Sequence, residues 1–188
     1  MVEQSPFRIL TVCTGNICRS PMTERLLQQG LDTQHPGVFS VASAGTGAMS
    51  GWPIDSRVAA QLDSLGVDPS AFVARSVTAE MLSSQDLVIA LTRAHRSEIL
   101  RLAPWLLQKT FTLRELGRLL PGVSRDESLP PQEQLRNALP RALRGRSMSS
   151  VEPADDDVVD PYGREEEQFR HMFGQVIPAV EAILAWTK

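Results

Sequence analysis

One stretch of the sequence, residues 9–21, constrains the fold more than any other, and it reads ILTVCTGNICRSP. Residues 9–12 are apolar or small, which is typical of a buried parallel strand. Ser20 is a favourable helix N-cap residue, and Pro21 suits the first helical position because the N–H group it lacks would have no partner there. The sequence therefore predicts a strand, a short loop over residues 13–19, and a helix that begins at Pro21.

The predicted loop separates Cys13 from Arg19 by five residues. A short loop that closes on a helix N-terminus points several backbone N–H groups into one concavity, and the helix dipole adds positive potential there. Such a site holds a phosphate, and it also stabilises a thiolate. We therefore expect Cys13 to be a nucleophile, Arg19 to bind two phosphoryl oxygens, Ser20 to donate a hydrogen bond to the sulfur, and Asn16 to brace the loop. The alternative is a buried structural cysteine beside a surface arginine.

Three short motifs resemble those of a known family. They are the loop at residues 13–21, the sequence SAGT at residues 43–46, and the sequence DPYG at residues 160–163. The first resembles the phosphate-binding loop of the low-molecular-weight protein tyrosine phosphatases, and the other two resemble that family's S-A-G-T and Asp-Pro-aromatic motifs, in the same order. The resemblance implies a protein-tyrosine phosphatase that needs no metal or organic cofactor and acts on a phosphotyrosine protein substrate.

The resemblance also implies a role for each residue of the predicted site. Cys13 is the expected nucleophile and Arg19 the expected phosphate clamp. Asp160 is expected to protonate the leaving oxygen and then, as a carboxylate, to activate the water that hydrolyses the phosphocysteine, with a typical gain of ~10²–10⁴ in rate. The remaining predicted phosphate- and substrate-binding residues are Thr14, Gly15, Asn16, Ile17, Cys18, Ser20, Met49, Trp52 and Tyr162.

Some positions depart from the family or leave two interpretations open. Where the family commonly has an aromatic wall after S-A-G-T, this chain has Met49, with Trp52 three residues later, and either side chain packs well against an aromatic ring. Thr92 follows a predicted strand where many relatives have an acidic residue. The resemblance implies that Cys18 forms a reversible disulfide with Cys13 that protects the nucleophile from oxidation; the alternative is an inert core residue.

Other functions of the same loop remain as alternatives. Arsenate reductases of this fold pass a disulfide along further cysteines, whereas this chain has only Cys13 and Cys18. Protein-arginine phosphatases resemble this loop but tend to have a smaller polar residue at the position of Ile17, and a branched apolar side chain suits an aryl group better. A non-catalytic phosphate-binding module would have no need of Asp160. The favoured prediction is therefore hydrolysis of phosphotyrosine and small aryl phosphates.

The order of apolar segments predicts an α/β fold in a single domain over residues 1–188. The alternation of strands and helices predicts a four-stranded parallel sheet of flavodoxin-like order, flanked by helices on both faces, with the cysteine loop at the C-terminal ends of the strands. Predicted strands cover residues 7–12, 38–42, 86–91 and 110–113, and predicted helices cover residues 21–29, 55–65, 94–102 and 164–186.

Residues 121–157 have a different composition, rich in proline, arginine and serine, and they end in the acidic run 155–157. We interpret this segment as an insertion before the acid loop and as a mobile surface loop, with a regulatory or partner-binding segment as the alternative. A short amphipathic helix is an open alternative within the segment, because leucines recur at every fourth position from Leu135 to Leu143, although Pro140 weakens this prediction. The three acidic residues are interpreted as solvated charge.

Charge and cysteine usage narrow the possible partners and compartments. The net charge of −3 gives no indication of a nucleic-acid or membrane surface. The longest apolar run covers only residues 87–91, too short to cross a bilayer. Two cysteines in one loop do not resemble a secretory disulfide framework, so a cytoplasmic location is predicted. No feature of the sequence predicts an oligomeric state.

Overall fold

A computed structural model describes residues 5–147 and 151–188. In this part of the chain four strands form one sheet: β1 (Phe7–Cys13), β2 (Phe39–Gly45), β3 (Leu87–Ala90) and β4 (Thr110–Thr112). Every neighbouring pair is parallel, and the order is β2-β1-β3-β4. The predicted α/β fold with a four-stranded parallel sheet is confirmed.

The α-helices of the described residues pack on both faces of the sheet. They are α1 (Arg19–Gln34), α2 (Ser56–Ser64), α3 (Ala79–Ser83), α4 (Arg93–Leu102), α5 (Leu113–Leu119), α6 (Pro131–Arg146) and α7 (Glu166–Thr187). Side chains alternate between the faces along β1: Ile9 joins the core with α1, α2, α5, α6 and α7, while Leu10 joins the smaller core with α3 and α4. No helix among the described residues is long and apolar enough to span a membrane.

The first helix begins earlier and ends later than the sequence predicted. α1 starts at Arg19 with Cys18 at the N-cap, so the prediction of Ser20 as the N-cap is wrong and Pro21 lies within the first turn. The helix also continues through Gly30, where its end was predicted. A Cβ atom at that position would overlap the end of the Leu184 side chain, so the glycine leaves room for Leu184 where α1 meets α7.

Much of the segment 121–157 is helical rather than a loop. Helix α6 buries Leu135, Ala138, Leu139 and Ala142 in the main core and accommodates Pro140 in its interior. Packing of this apolar face therefore outweighs the cost of about 3 kcal/mol that an interior proline imposes on a helix. The mobility expected of the segment stays a prediction, and residues 148–150 lie outside the described residues.

Candidate active site

The loop between β1 and α1 turns its carbonyl oxygens away from its concave side. The backbone N–H groups of Thr46, Gly47 and Met49 donate to the carbonyls of residues 13, 14 and 15 at 2.9, 3.1 and 2.9 Å, and the N–H group of Asp55 donates to the carbonyl of residue 17 at 2.8 Å. With these carbonyls bound outside the loop, the backbone N–H groups can face inward, as an anion site requires. The segment that follows β2 therefore shapes the loop.

Asn16 holds the loop from within, as predicted. Its φ of 56° is in the left-handed region, which asparagine tolerates better than most residues. The side-chain amide donates to Ser20 Oγ at 2.9 Å and to Ser43 Oγ at 2.8 Å, and its oxygen accepts the backbone N–H of Arg75 at 2.9 Å. Ser43 in turn donates to Glu24 Oε2 at 2.5 Å. Burial raises the pKa of the Glu24 carboxyl, and the hydrogen bond from Ser43 only partly opposes this.

The sulfur of Cys13 lies at the bottom of the loop with two polar neighbours. Ser20 Oγ is 3.0 Å from Cys13 Sγ, and the backbone N–H of Asn16 donates to the sulfur at 3.3 Å. Ser20 Oγ accepts from the Asn16 amide, and its own hydrogen can be donated either to the sulfur at 3.0 Å or to the more distant carbonyl of Ala44 at 3.5 Å. Both neighbours can therefore donate hydrogen bonds to the sulfur.

The loop opens into a cavity that brings most of the predicted site together. Residues 13–19 line this cavity together with Gly47, Met49, Asp160 and Tyr162. Trp52 is not among the lining residues; its side chain is exposed, and its backbone N–H donates to the carbonyl of Met49. The structure therefore places Met49, rather than Trp52, at the wall of the site.

Arg19 and Asp160 meet at this cavity although 141 positions separate them in the sequence. Nη2 of the buried arginine lies 2.8 Å from Oδ2 of the half-exposed aspartate, and Nη1 donates to the carbonyl of Val158 at 3.3 Å. The other oxygen of Asp160 accepts the backbone N–H of Tyr162 at 3.1 Å. The nucleophile candidate, the arginine and the carboxyl group thus share one cleft.

A family model described as "Low molecular weight phosphotyrosine protein phosphatase" matches residues 8–121, which include the cysteine loop and the S-A-G-T segment. The chain belongs to this family of phosphatases.

Two relatives within the family are about 40% identical to this chain over the aligned residues. It is 42% identical over 111 residues to "Probable low molecular weight protein-tyrosine-phosphatase EpsP" of Ralstonia nicotianae, covering 59% of this chain and 71% of the relative. It is 41% identical over 102 residues to the low molecular weight protein-tyrosine-phosphatase Etp of Escherichia coli, covering 54% of this chain and 66% of Etp.

Solved structures resemble nearly the whole chain. The Wzb protein of Vibrio vulnificus, in complex with benzylphosphonate, superimposes with a TM-score of 0.67 at 25% identity over 95% of this chain and 97% of Wzb. The YwlE arginine phosphatase of Geobacillus stearothermophilus superimposes with a TM-score of 0.68 at 26% identity over 96% of this chain and 92% of YwlE.

His95 is a site residue that the sequence analysis missed. His95 is buried, with Nε2 2.8 Å from Thr14 Oγ1 and Nδ1 2.9 Å from Thr92 Oγ1. Burial, assisted by the nearby positive charge of Arg19, lowers the pKa of the imidazole to about 4. A neutral histidine therefore connects the phosphatase loop to Thr92, which also caps α4 by accepting the backbone N–H of His95. The spacing Thr-x-x-His after a central strand was the available signal.

The two cysteines differ in their surroundings. Both are free thiols and both are buried. Burial raises the pKa of the Cys18 thiol well above its usual value, and the negative charge of Asp55 adds to this effect. Cys18 is therefore a poor nucleophile at neutral pH. The regulatory disulfide between them stays a prediction.

The interpretation of the acidic run as solvated charge is wrong for two of its three members. Asp156 pairs with Arg118 at 2.5 Å, and Asp157 pairs with Arg93 at 2.9 Å. Within residues 5–147 and 151–188, no group of three or more histidine, cysteine or acidic side chains is arranged to hold a metal ion.

Proposed function

We propose that this chain is a protein-tyrosine phosphatase that hydrolyses phosphotyrosine in proteins, and small aryl phosphates, through a phosphocysteine intermediate. The observation that supports it best is the shared cleft of Cys13, Arg19 and Asp160, with Arg19 Nη2 and Asp160 Oδ2 2.8 Å apart. A binding module would need the arginine and the loop, but it would have no use for a half-exposed carboxyl group at the mouth of the same cleft.

In the first step, the Cys13 thiolate attacks phosphorus and the bond from phosphorus to the leaving oxygen breaks. The backbone N–H groups of the loop and the planar guanidinium of Arg19 bind the equatorial oxygens, where charge accumulates. Asp160 gives its proton to the leaving oxygen. Because its carboxyl group contacts Arg19 and is half-exposed, it can turn from the arginine to the leaving group when a phosphate occupies the guanidinium.

In the second step, the carboxylate of Asp160 accepts a proton from a water molecule that attacks phosphorus. The bond between phosphorus and Sγ breaks, phosphate leaves, and the thiolate returns to its contacts with Ser20 Oγ and the N–H group of Asn16. One carboxyl group therefore serves both half-reactions.

The walls of the cleft favour an aromatic substrate. Ile17, Met49 and Tyr162 line the cavity beside the loop. A branched aliphatic group, a thioether and a phenol ring all pack well against a tyrosine ring. The structural similarity to Wzb, which was solved in complex with benzylphosphonate, supports a substrate with an aryl group.

A phosphoarginine substrate is the second candidate, and the similarity to the YwlE arginine phosphatase favours it. The two candidates share Cys13, Arg19 and Asp160 and differ only in the group that the walls accept. Matched phosphotyrosine and phosphoarginine peptides distinguish them, and we expect the higher kcat/KM with phosphotyrosine because Ile17 presents an apolar surface to the leaving group.

The mechanism also supports a proposed compartment. Cys13 must remain a free thiol to act as a nucleophile, and both cysteines are free. Reducing compartments such as the cytoplasm maintain free thiols. We therefore propose a cytoplasmic location.

The first experiment measures hydrolysis of p-nitrophenyl phosphate between pH 4 and 8 with EDTA present, for the unaltered chain and the Cys13→Ser variant. We expect activity that is insensitive to EDTA and lost in the variant, because the serine hydroxyl is a much weaker nucleophile, while inorganic phosphate still binds. Turnover by Cys13→Ser would overturn the mechanism. Phosphate binding without any turnover by the unaltered chain would favour the binding module.

A further inference from the structure

The loop that bears Asp160 is tied to the helices that follow β3 and β4. We call residues 156–160 the acid loop. Arg93 is the first residue of α4, and Arg114 and Arg118 lie on α5. All three arginines donate hydrogen bonds to the first two residues of the acid loop.

Asp157 receives most of these contacts. Its Oδ1 accepts the backbone N–H of Arg93 at 2.7 Å, and its Oδ2 accepts from Arg93 Nη2 at 2.9 Å. Arg93 Nε lies 3.3 Å from both carboxylate oxygens. The backbone carbonyl of Asp157 accepts from Arg114 Nη1 at 3.1 Å. Both the side chain and the backbone of Asp157 are therefore fixed, by two different helices.

The next residue of the acid loop is fixed to the catalytic end of the sheet. The N–H of Val158 donates to the carbonyl of Leu91 at 2.9 Å, and its carbonyl accepts from Arg19 Nη1 at 3.3 Å. Val158 is buried, whereas Asp160, two residues later, is half-exposed. Two residues reach at most about 7 Å, so the position of residues 157 and 158 limits where the Asp160 carboxyl group can go.

We propose that Asp157 is a positioning residue for the reaction. Its two-pronged ion pair with Arg93, together with the hydrogen bond from Arg114 to its carbonyl, holds the acid loop so that Asp160 reaches the leaving oxygen. This inference rests on the proposed function, because it takes Asp160 as the general acid. Asp157 does not line the cavity and therefore acts only through Asp160. A misplacement of about 1 Å in a catalytic group costs roughly 10²-fold in rate, so loosening this anchor would be visible in the chemistry.

The ion pair between Asp157 and Arg93 has the features by which a partly exposed ion pair can hold a loop in place. It is two-pronged, it includes a backbone N–H, and the neighbouring pair of Asp156 with Arg118 extends it into a network. Burial opposes ionisation of Asp157, but the hydrogen bonds from Arg93 outweigh it and lower the pKa of this carboxyl. Asp157 therefore stays charged at neutral pH.

The test compares Asp157→Ala with Asp155→Ala as the matched control. Asp155 is adjacent, exposed, and forms no ion pair in the described part of the chain. We expect Asp157→Ala to lower kcat/KM about tenfold for phenyl phosphate, whose poor leaving group needs the proton, and less than about twofold for p-nitrophenyl phosphate. The inhibition constant of inorganic phosphate should not change, because the cysteine loop is untouched. Asp155→Ala should behave like the unaltered chain.

A double-mutant cycle with Asp160→Asn separates positioning from a general loss of structure. If Asp157 acts through Asp160, Asp157→Ala should cause no further loss once residue 160 is asparagine. A similar additional loss in that background, an equal loss with both substrates, or a weaker affinity for phosphate would each overturn the inference.

Failure of the proposed function gives a different result. Asp160→Asn alone would then slow phenyl and p-nitrophenyl phosphate equally, which overturns its role as the acid and, with it, the inference. If Asp160→Asn discriminates between the two substrates but Asp157→Ala behaves like Asp155→Ala, only the positioning role of Asp157 is overturned.

Discussion

His95 connects two parts of the active site through short contacts with hydroxyl groups, and it does so as a neutral ring. Each ring nitrogen has one threonine partner, Thr14 in the cysteine loop and Thr92 at the start of α4. Burial and the nearby positive charge of Arg19 lower the pKa of the ring by more than the negative charges of Glu98, Asp160 and Asp157 raise it. Protonation of the imidazole is therefore opposed in the folded state, and the phosphate site gains a hydrogen-bonded brace without an additional charge.

The low pKa of His95 predicts a specific dependence of stability on pH. The folded-state pKa of about 4 lies below the reference value of 6.5, so the unfolded chain takes up a proton first as the pH falls. The stabilising contribution is complete above pH 6.5 and declines from there towards pH 4, by up to about 3 kcal/mol. His95→Gln removes this titration. In denaturant unfolding, the stability difference between the unaltered chain and His95→Gln should shrink as the pH is lowered from 7 to 4. A difference that is constant with pH would contradict this prediction.

Among the elements, α6 shows how packing overrides local sequence signals. Pro130, Pro131 and Pro140 indicated a loop, but the structure uses Pro131 as the first residue of the helix and tolerates Pro140 in its interior. The four-residue spacing of Leu135 and Leu139 was the correct signal. This spacing leads to a stable helix only if another part of the chain offers an apolar surface for it to pack against. The main core, which includes α5, provides that surface, and the local pattern cannot reveal it.

Leu139→Ala tests whether α6 belongs to the core. Leu139 is 2% exposed, so we expect the substitution to lower the free energy of unfolding by about 2–4 kcal/mol, through lost burial and the cavity left behind. Leu107→Ala is the matched control, because Leu107 is 55% exposed and should cost less than about 0.5 kcal/mol. Denaturant unfolding of both variants gives the comparison. Equal, small losses would mean that α6 is not packed as the structure shows.

In the molecule as a whole, the sequence predicts local features better than distant pairings. The strand, the cysteine loop and the start of the first helix could be found because their spacing within a dozen positions determines their geometry, whereas Met49, Asp160 and Tyr162 could be found only through the resemblance to family motifs. The anchors of the acid loop could not, since Arg93 and Asp157 are 64 positions apart and each alone is typical of a solvated surface. The same holds for His95 and Thr14, which are 81 positions apart. Such pairs depend on side-chain contacts between segments that are far apart in the sequence, and no local pattern encodes those contacts.

The long C-terminal helix α7 packs against α1, near the start of the chain, and against α5. Each of these two helices has a glycine where it approaches α7. A Cβ atom on Gly117 of α5 would lie 2.9 Å from the carbonyl oxygen and 3.1 Å from the Cα of Ala179 in α7. The obstacle is backbone, so it cannot rotate away, and the two helices would have to separate. Gly174, on the exposed side of α7, would meet nothing within 4 Å.

We therefore expect the same substitution, glycine to alanine, to change the free energy of unfolding in opposite directions at positions 117 and 174. Alanine is the better helix former by about 1 kcal/mol, so Gly174→Ala should raise the free energy of unfolding by about 0.5–1 kcal/mol. Gly117→Ala has the same gain in helix propensity, but the added methyl group would push α5 away from α7. The free energy of unfolding should therefore fall by about 1–3 kcal/mol. Thermal or denaturant unfolding measures both. A stabilised Gly117→Ala variant would show that α5 and α7 do not pack this closely, and that the molecule is joined at that point by side chains rather than by backbone contact.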